Sequence, residues 1–173
     1  KLGVKIQTPE HVLAALVGCD LDNIIIELDA SELPIMDGSS KYFVEAIEKV
    51  GVQEQEAKRN IYVVKEIISF TDEESGSEIM VMPSENYSVT AMVDFGTKVL
   101  GTQNATMKSI SEFKTEIADS RTFSFLHELE SLLEEGLIKG GDLNNAIVYV
   151  DKDISEKTMN NLKIAFGKDE ITV

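Results

Sequence analysis

Two adjacent residues near the start of the chain, Glu10 and His11, are the side chains best suited to chemistry. A histidine can bind a metal ion, and a neighbouring carboxylate can act as general base on a water molecule. Thr8 is a capping residue type and Pro9 suits the first helical position, which places the pair in the first turn of a predicted helix. The alternative is an ordinary surface glutamate and histidine, because a Glu-His dipeptide alone is a weak motif.

Other metal-binding side chains are scarce. The chain has one cysteine, Cys19, and two histidines, His11 and His127, whereas a zinc site needs about three protein ligands. His127 begins a leucine-rich predicted helix, and we interpret it as a solvated helix histidine. A single cysteine excludes an internal disulfide and favours a reducing compartment.

Two further segments combine polar and apolar groups. In Ser120-Arg121-Thr122-Phe123, the arginine and threonine can donate hydrogen bonds to a carbonyl or phosphate. The aromatic residues beside them either line an acyl-binding slot or belong to the core. The turn 33–40 carries apolar residues that either pack inward or contact an apolar ligand. The stretch 136–142 lacks the glycine spacing of a phosphate loop.

Hydrophobic periodicity predicts the elements that must position these residues. Gly18 is expected to end the first helix, while Ser39 or Ser40 opens a second helix that Gly51 closes. Further helices are predicted over 110–117 and 125–135 and after Ser155, and strands over 23–28, 61–64, 66–70, 79–82, 87–93 and 146–150.

Composition limits the classes of function. The 173 residues include 31 acidic and 16 basic side chains, a formal net charge of -15. A field of that sign disfavours binding to nucleic acid and to anionic membrane surfaces. No apolar run approaches the roughly 20 residues that span a bilayer, so no transmembrane segment is expected.

The order of the predicted elements indicates an α+β fold with two units, each a sheet covered by helices. The polar run Gln53–Arg59 is the predicted boundary between them. The chain starts at Lys1 and its last residues read as a strand, so we expect a piece of a longer protein.

Several sequence blocks together resemble one family, the UDP-3-O-acyl-N-acetylglucosamine deacetylases, which are zinc amidases of bacterial lipid A (lipopolysaccharide) biosynthesis. The family's T-x-E-H-L-x-A-A-L helix is similar to Thr8-Pro9-Glu10-His11-Val12-Leu13-Ala14-Ala15-Leu16. The other blocks, in the family's order, are Asp22-Asn23-Ile24, Pro34-Ile35-Met36-Asp37-Gly38-Ser39, Ser120-Arg121-Thr122-Phe123 and Gly140-Gly141 with Asn145-Ala146-Ile147-Val148.

The resemblance implies a fold of two similar two-layer domains, each a sheet with packed helices and each truncated here. Residues 1–55 would be the C-terminal half of the first domain. Residues 56–173 would be the N-terminal part of the second domain. Each domain would carry an insertion, at 29–40 in the first and at about 123–150 in the second, where it forms a hydrophobic passage for the substrate's acyl chain.

The resemblance also implies a role for particular residues. His11 would be a zinc ligand, Glu10 the general base, and Thr122 would polarise the amide carbonyl. The acyl passage would be lined by Phe123, Phe125, Leu129, Ile138, Ala146 and Val148.

The implied activity is zinc-dependent removal of acetate from a UDP-sugar lipid, a small-molecule substrate, in the cytoplasm. The family's H-K-x-x-D motif, which supplies the other zinc ligands, is not in this chain, nor is its catalytic acid histidine. We therefore expect the activity and the bound Zn²⁺ to belong to the full-length parent. The fragment alone is expected to be inactive and to bind zinc weakly or not at all. In some bacteria the family's deacetylase is fused to an acyl-carrier-protein dehydratase, and the sequence leaves open whether the parent carries such a domain. The alternatives are a non-catalytic α+β binding module of the same fold and an unrelated α+β domain with chance matches.

Overall fold

The computed structural model describes residues 3–129, 144–151 and 153–170. The described residues begin with two α-helices, continue with strands and short helical turns, and include an α-helix close to their end. The helices are α1 (Glu10–Gly18), α2 (Lys41–Val50) and α3 (Glu156–Phe166), and a 3-10 turn at Ile110–Glu112 leads into a π-helical turn at Phe113–Ile117. The strands are β1 (Ile68–Thr71), β2 (Glu78–Val81), β3 (Val89–Asp94), β4 (Thr102–Met107), β5 (Phe123–Phe125) and β6 (Ile147–Tyr149).

Helix α1 ends where predicted but begins differently. Gly18 is its last residue, as expected. Thr8 is not the cap, because its φ is +55° and its hydroxyl donates a hydrogen bond to Glu32 Oε1 at 2.9 Å. Pro9 occupies the capping position instead, and the first helical residue is Glu10. The preceding residue, Gln7, forms a short parallel bridge with Glu32.

Helix α2 is confirmed between Ser40 and Gly51. Of its apolar residues, Val44 is buried and Ile47 packs against the core, whereas Val50 is exposed.

The described part of the chain contains three two-stranded sheets. Strands β1 and β2 pair antiparallel, as do β3 and β4, and β5 pairs with β6 in parallel. Nearly every residue of β1 to β4 is exposed. The mixture of helices and small sheets confirms the α+β class, and the two similar domains with a boundary near residue 55 remain a prediction.

Two predicted strands are absent from the described residues. The runs 23–28 and 61–64 form no strand, and Ile24, Ile25 and Ile26 are exposed. β-Branched side chains suit a pleated surface, but a strand forms only where it can pair with another strand. No described strand pairs with either run. The structure adds β4 and β5, which were not predicted, and resolves the helix predicted over 110–117 into two short turns. The helix predicted from Phe125 begins at residue 126, and its remainder lies outside the described residues.

The core connects α1 and α2 to the end of β4 and the π-helical turn. Its main cluster comprises Ala15, Cys19, Val44, Met107, Phe113 and Ala118, and a smaller one comprises Val12, Leu16 and Leu33. Helices α1 and α2 each contact this core with one face. Residues on both sides of position 55 therefore share one buried cluster.

Helix α3 is capped as its sequence predicts. Ser155 lies in extended backbone and its hydroxyl accepts a hydrogen bond from the Thr158 N–H at 3.1 Å. Gly167 ends the helix in the left-handed conformation that favours glycine. Within the ranges that the structure describes, no helix has the length and apolar character needed to cross a membrane.

Candidate active site

Glu10 and His11 lie side by side in the first turn of α1. Glu10 Oε1 is 3.8 Å from His11 Nε2, and the side chains are 64% and 15% exposed, respectively. The imidazole thus lies against the protein while the carboxylate reaches solvent. The helix N-terminus favours negative charge in its first turn. This arrangement suits a carboxylate that takes a proton from a water molecule beside a histidine ligand.

The Asp37–Ser40 turn contacts both halves of the predicted site. The Ser40 hydroxyl donates a hydrogen bond to the carbonyl oxygen of His11 at 2.9 Å. Two residues earlier, the carbonyl oxygen of Gly38 accepts a hydrogen bond from the Thr122 N–H at 2.7 Å. One short turn therefore holds the backbone of His11 and the backbone of Thr122.

The backbone of Thr122 is held on both sides. Its N–H donates to Gly38, and its carbonyl oxygen accepts from the Ile147 N–H at 2.9 Å. No group in the described part of the chain is hydrogen-bonded to its hydroxyl. A partly buried hydroxyl on a fixed backbone can donate a hydrogen bond to a ligand oxygen, which is what stabilisation of a developing oxyanion requires.

Arg121 joins two main-chain carbonyls. Its Nε donates to the Asp37 carbonyl at 2.6 Å, and a terminal guanidinium nitrogen donates to the Asn144 carbonyl. The Asp37 carboxylate accepts hydrogen bonds from the hydroxyl and the N–H of Ser39 at 2.7 and 3.1 Å. Burial would raise the pKa of Asp37, but these hydrogen bonds and the nearby guanidinium outweigh it and lower the pKa below its usual value. Ionised Asp37 therefore stabilises the turn above its unfolded pKa, and this stabilisation is lost as the pH falls through the folded value.

Gly38 packs closely against the backbone of Asn145. Its φ is +83°, and a Cβ built there would lie 2.0 Å from the carbonyl oxygen of Asn145. We call the meeting point of the Asp37–Ser40 turn, Arg121–Thr122 and Asn144–Ile147 the junction. The junction brings the predicted oxyanion donor into contact with the turn that also holds α1.

The predicted acyl-passage residues include part of an aromatic cluster. The ring centroids of Phe123 and Phe125 are 6.0 Å apart, and Phe123 also contacts Phe95 at 5.3 Å and Tyr149 at 5.6 Å, all edge to face. Phe125 is buried, whereas Phe123 is exposed. The cluster thus presents an accessible aromatic surface beside Thr122.

The other predicted passage residues are distributed differently. Leu129 is buried, and Ala146 and Val148 are partly buried. Val148 pairs with Ser124 across β5 and β6, so it lies on the sheet face opposite to the aromatic rings. Ile138 lies outside the described residues.

His127 has specific partners. Its Nδ1 lies 3.1 Å from Asp151 Oδ1, and its ring stacks on Phe125 with centroids 5.6 Å apart. The His127 side chain is 43% exposed, and the Asp151 side chain only 6%. The histidine is therefore part of the packing around the aromatic cluster as well as partly solvated.

The described residues do not form a complete metal site. Within residues 3–129, 144–151 and 153–170, no group of three or more histidine, cysteine, aspartate or glutamate side chains is placed to hold a metal ion. His11 has the chemistry of a single zinc ligand, with a largely buried imidazole beside a carboxylate. Further ligands would have to come from elsewhere in the protein.

Sequence reasoning missed Phe95, Tyr149 and Asp151. Tyr149 could have been found, because it alternates with Ile147 in a predicted strand and so lies on one face with it. Phe95 stands in the Asp94-Phe95-Gly96 connection after β3, where a large aromatic residue is an unusual choice. The partnership of Asp151 with His127 depends on a contact across 24 residues that no local pattern shows.

Comparison with known proteins agrees with the resemblance of the sequence blocks. The family model for UDP-3-O-acyl N-acetylglycosamine deacetylase (LpxC) matches residues 1–169. The chain is 44% identical over 167 residues to the bifunctional enzyme LpxC/FabZ of Bacteroides thetaiotaomicron, which covers 96% of this chain and 36% of that protein. It is 40% identical over 156 residues to the UDP-3-O-acyl-N-acetylglucosamine deacetylase of Syntrophus aciditrophicus, with 90% of this chain and 49% of that protein covered.

The chain thus spans about a third to a half of the length of these relatives. The match extends through the E-H helix, the Asp37–Ser40 turn and the Ser120–Phe123 block, so it includes every segment that meets at the junction. The chain belongs to the UDP-3-O-acyl N-acetylglycosamine deacetylase family.

Proposed function

We propose that the full-length protein containing this chain is a zinc-dependent deacetylase. It hydrolyses the acetamide of UDP-3-O-acyl-N-acetylglucosamine in lipid A biosynthesis, releasing acetate and a free amine. The proposal draws on the family and on the names of the relatives. In this proposal the chain supplies the general base, one zinc ligand and the oxyanion donor. The other zinc ligands and the catalytic acid belong to the rest of the protein.

One observation carries the proposal. The Asp37–Ser40 turn hydrogen-bonds both to the backbone of His11 and to the backbone of Thr122. A base next to a metal ligand and a hydroxyl donor are the two kinds of group that amide hydrolysis needs from this chain. One turn is hydrogen-bonded to the segments that carry both.

The proposed steps follow from what each side chain can do. The Glu10 carboxylate accepts a proton from the attacking water, which then adds to the acetamide carbonyl carbon. The Thr122 hydroxyl donates a hydrogen bond to the carbonyl oxygen as negative charge develops on it. The amine leaves with a proton supplied by the rest of the protein.

The proposed metal is zinc, with His11 as one of its ligands. Bound zinc supplies Lewis-acid polarisation and makes water more acidic. The carboxylate of Glu10 reaches solvent 3.8 Å from the imidazole, so it can accept a proton close to such a ligand.

The acyl chain is proposed to lie against the aromatic cluster. Phe123 is exposed and directly follows Thr122, so an apolar chain there would extend from the reacting group. Each buried methylene contributes about 0.8 kcal/mol, so ten of them would contribute several kcal/mol to binding.

The proposed function is tested by acetate release from purified full-length protein. We expect release from the 3-O-acylated UDP-sugar, loss of release after treatment with a chelator, and recovery on addition of zinc. A well-folded full-length protein that binds the UDP-sugar but releases no acetate would refute the enzyme and favour the binding module.

The acyl passage leads to a prediction about substrate length. In the full-length protein, Ala146→Phe is expected to lower the rate for long-chain substrates about 10-fold or more while sparing short-chain ones, since an added ring displaces several methylenes. Rates are measured as a function of acyl length, with circular dichroism to verify folding. Ala105→Phe on exposed β4 is the matched control. Equal changes in short- and long-chain rates would place the passage elsewhere.

The wider organisation is also a proposal. Relatives named as bifunctional LpxC/FabZ enzymes support a second, fused dehydratase unit in the full-length protein. A cytoplasmic location fits the single cysteine and the UDP-sugar substrate. The division into deacetylase domains at residues 1–55 and 56–173 is proposed on the same family grounds.

A further inference from the structure

We propose that Arg121 is a positioning residue that fixes the Thr122 hydroxyl for catalysis. The inference rests on the proposed function and extends it to a residue that does not touch the reacting atoms. It concerns the junction, where the side chain of Arg121 joins two segments that also hold the backbone of its neighbour.

The contacts of Arg121 run parallel to those of Thr122. Arg121 donates to the carbonyl of Asp37, and Thr122 donates to the carbonyl of Gly38, the next residue. On the other side, Arg121 donates to the carbonyl of Asn144, and the Thr122 carbonyl accepts from Ile147 in the same segment. The guanidinium thus fixes the spacing of the two segments between which the Thr122 backbone is held.

Arginine has the geometry for this role. Its planar guanidinium presents donors in a fixed fork, so one side chain can bridge two acceptors at a set separation. Lysine carries the same charge but places it at a single point on a flexible stem. Two main-chain carbonyls already accept hydrogen bonds from Arg121, which favours a positioning role over direct binding of the substrate's diphosphate.

The consequence for catalysis concerns kcat rather than KM. A donor for a developing oxyanion acts mainly in the transition state, so displacing it lowers kcat and leaves substrate binding nearly unchanged. A direct contact of Arg121 with the diphosphate would instead raise KM. The two roles therefore predict different kinetic signatures.

The test is a double-mutant cycle in the full-length protein. Thr122→Val is expected to lower kcat about 100-fold. Arg121→Lys is expected to lower it about 10-fold with KM changed by less than about 2-fold. In the Thr122→Val background, Arg121→Lys should cost about 2-fold or less, because the hydroxyl through which it acts is gone.

Arg59→Lys is the matched control. Arg59 also bridges two partners, because its guanidinium nitrogens lie 2.9 Å from Asp20 Oδ1 and 2.7 Å from Asp22 Oδ2. Unlike Arg121, it is exposed and lies outside the junction. We expect it to leave kcat and KM unchanged. Arg121→Ala supplies a further test in a variant whose circular dichroism matches the wild type. Recovery of its kcat on addition of guanidinium supports the proposal, and no recovery contradicts it.

A second readout does not depend on activity. Hydrogen exchange of the peptide containing the Thr122 amide should be faster in Arg121→Lys than in the wild type and unchanged in Arg59→Lys, because the hydrogen bond to Gly38 opens more often. Unchanged exchange, a rise in KM alone, or fully multiplicative effects in the double mutant would each overturn the positioning role. Faster exchange with a Thr122→Val variant of normal kcat would instead show that the proposed role of Thr122 is wrong while the structural link stands.

Discussion

Replacing Glu10 by glutamine in the full-length protein is expected to lower kcat for acetate release by about 1,000-fold, within the range found for removal of a general acid or base. The amide retains the size of the side chain and its place in the first turn of α1 but cannot accept the proton of the attacking water. KM should change little, because Glu10 acts on water rather than on the substrate. The measurement is steady-state kinetics on saturating and subsaturating substrate.

A matched control separates loss of the base from loss of charge on a helix. Glu45 is an exposed carboxylate on α2, and Glu45→Gln should leave kcat unchanged. Zinc content, measured by elemental analysis, should be equal in both variants and the wild type, since His11 is the proposed ligand. A Glu10→Gln protein that retains more than about a tenth of the wild-type kcat would assign the base to another group.

The second large effect is expected on stability, from Gly38→Ala. The φ of +83° is unfavourable for any side chain, and the added Cβ would lie 2.0 Å from a main-chain oxygen that cannot rotate away. The sum of backbone strain and overpacking is expected to cost about 3 kcal/mol of unfolding free energy. Urea unfolding of the full-length protein, followed by circular dichroism, measures the shift of the midpoint.

Gly76→Ala isolates the part of this cost that comes from φ. Gly76 lies in the exposed turn between β1 and β2, has a φ of +70°, and nothing lies within 4 Å of a Cβ built there. We expect it to cost about 1 kcal/mol. Equal losses in the two variants would mean that the junction can open to admit a methyl group, and the close approach of Gly38 to Asn145 would then not constrain the site.

Local sequence signals predicted the helices better than the strands. Gly18, Gly51 and the Ser155 cap act within a few residues of the ends they define, so the last residues of α1 and α2 and the start of α3 could be placed from the sequence. Strand β4 was missed because Thr102–Met107 contains few β-branched or aromatic residues and is held by its pairing with β3. The isoleucine run at 24–26 shows the converse, since strong β-propensity produced no strand there.

In the candidate site, too, locally encoded features could be predicted and contacts between distant segments could not. Glu10, His11 and Thr122 were found because their residue types and the blocks around them are informative in themselves. The bridge from Arg121 to Asp37 and Asn144 could not be found, because its acceptors are main-chain carbonyls that every residue carries. The roles of the predicted residues remain predictions, and the structure supplies the contacts through which they can be tested.

The bridge between Arg121 and Asp37 also has a consequence for biogenesis. The two residues are separated by 84 positions. At roughly 5 to 20 residues per second, the ribosome adds that length in about 4 to 17 s. During this interval the Asp37–Ser40 turn has been synthesised but has neither the guanidinium nor the Thr122 amide to fix it. Closure of such a long loop also slows folding, so the junction is expected to be among the last contacts that the nascent protein completes.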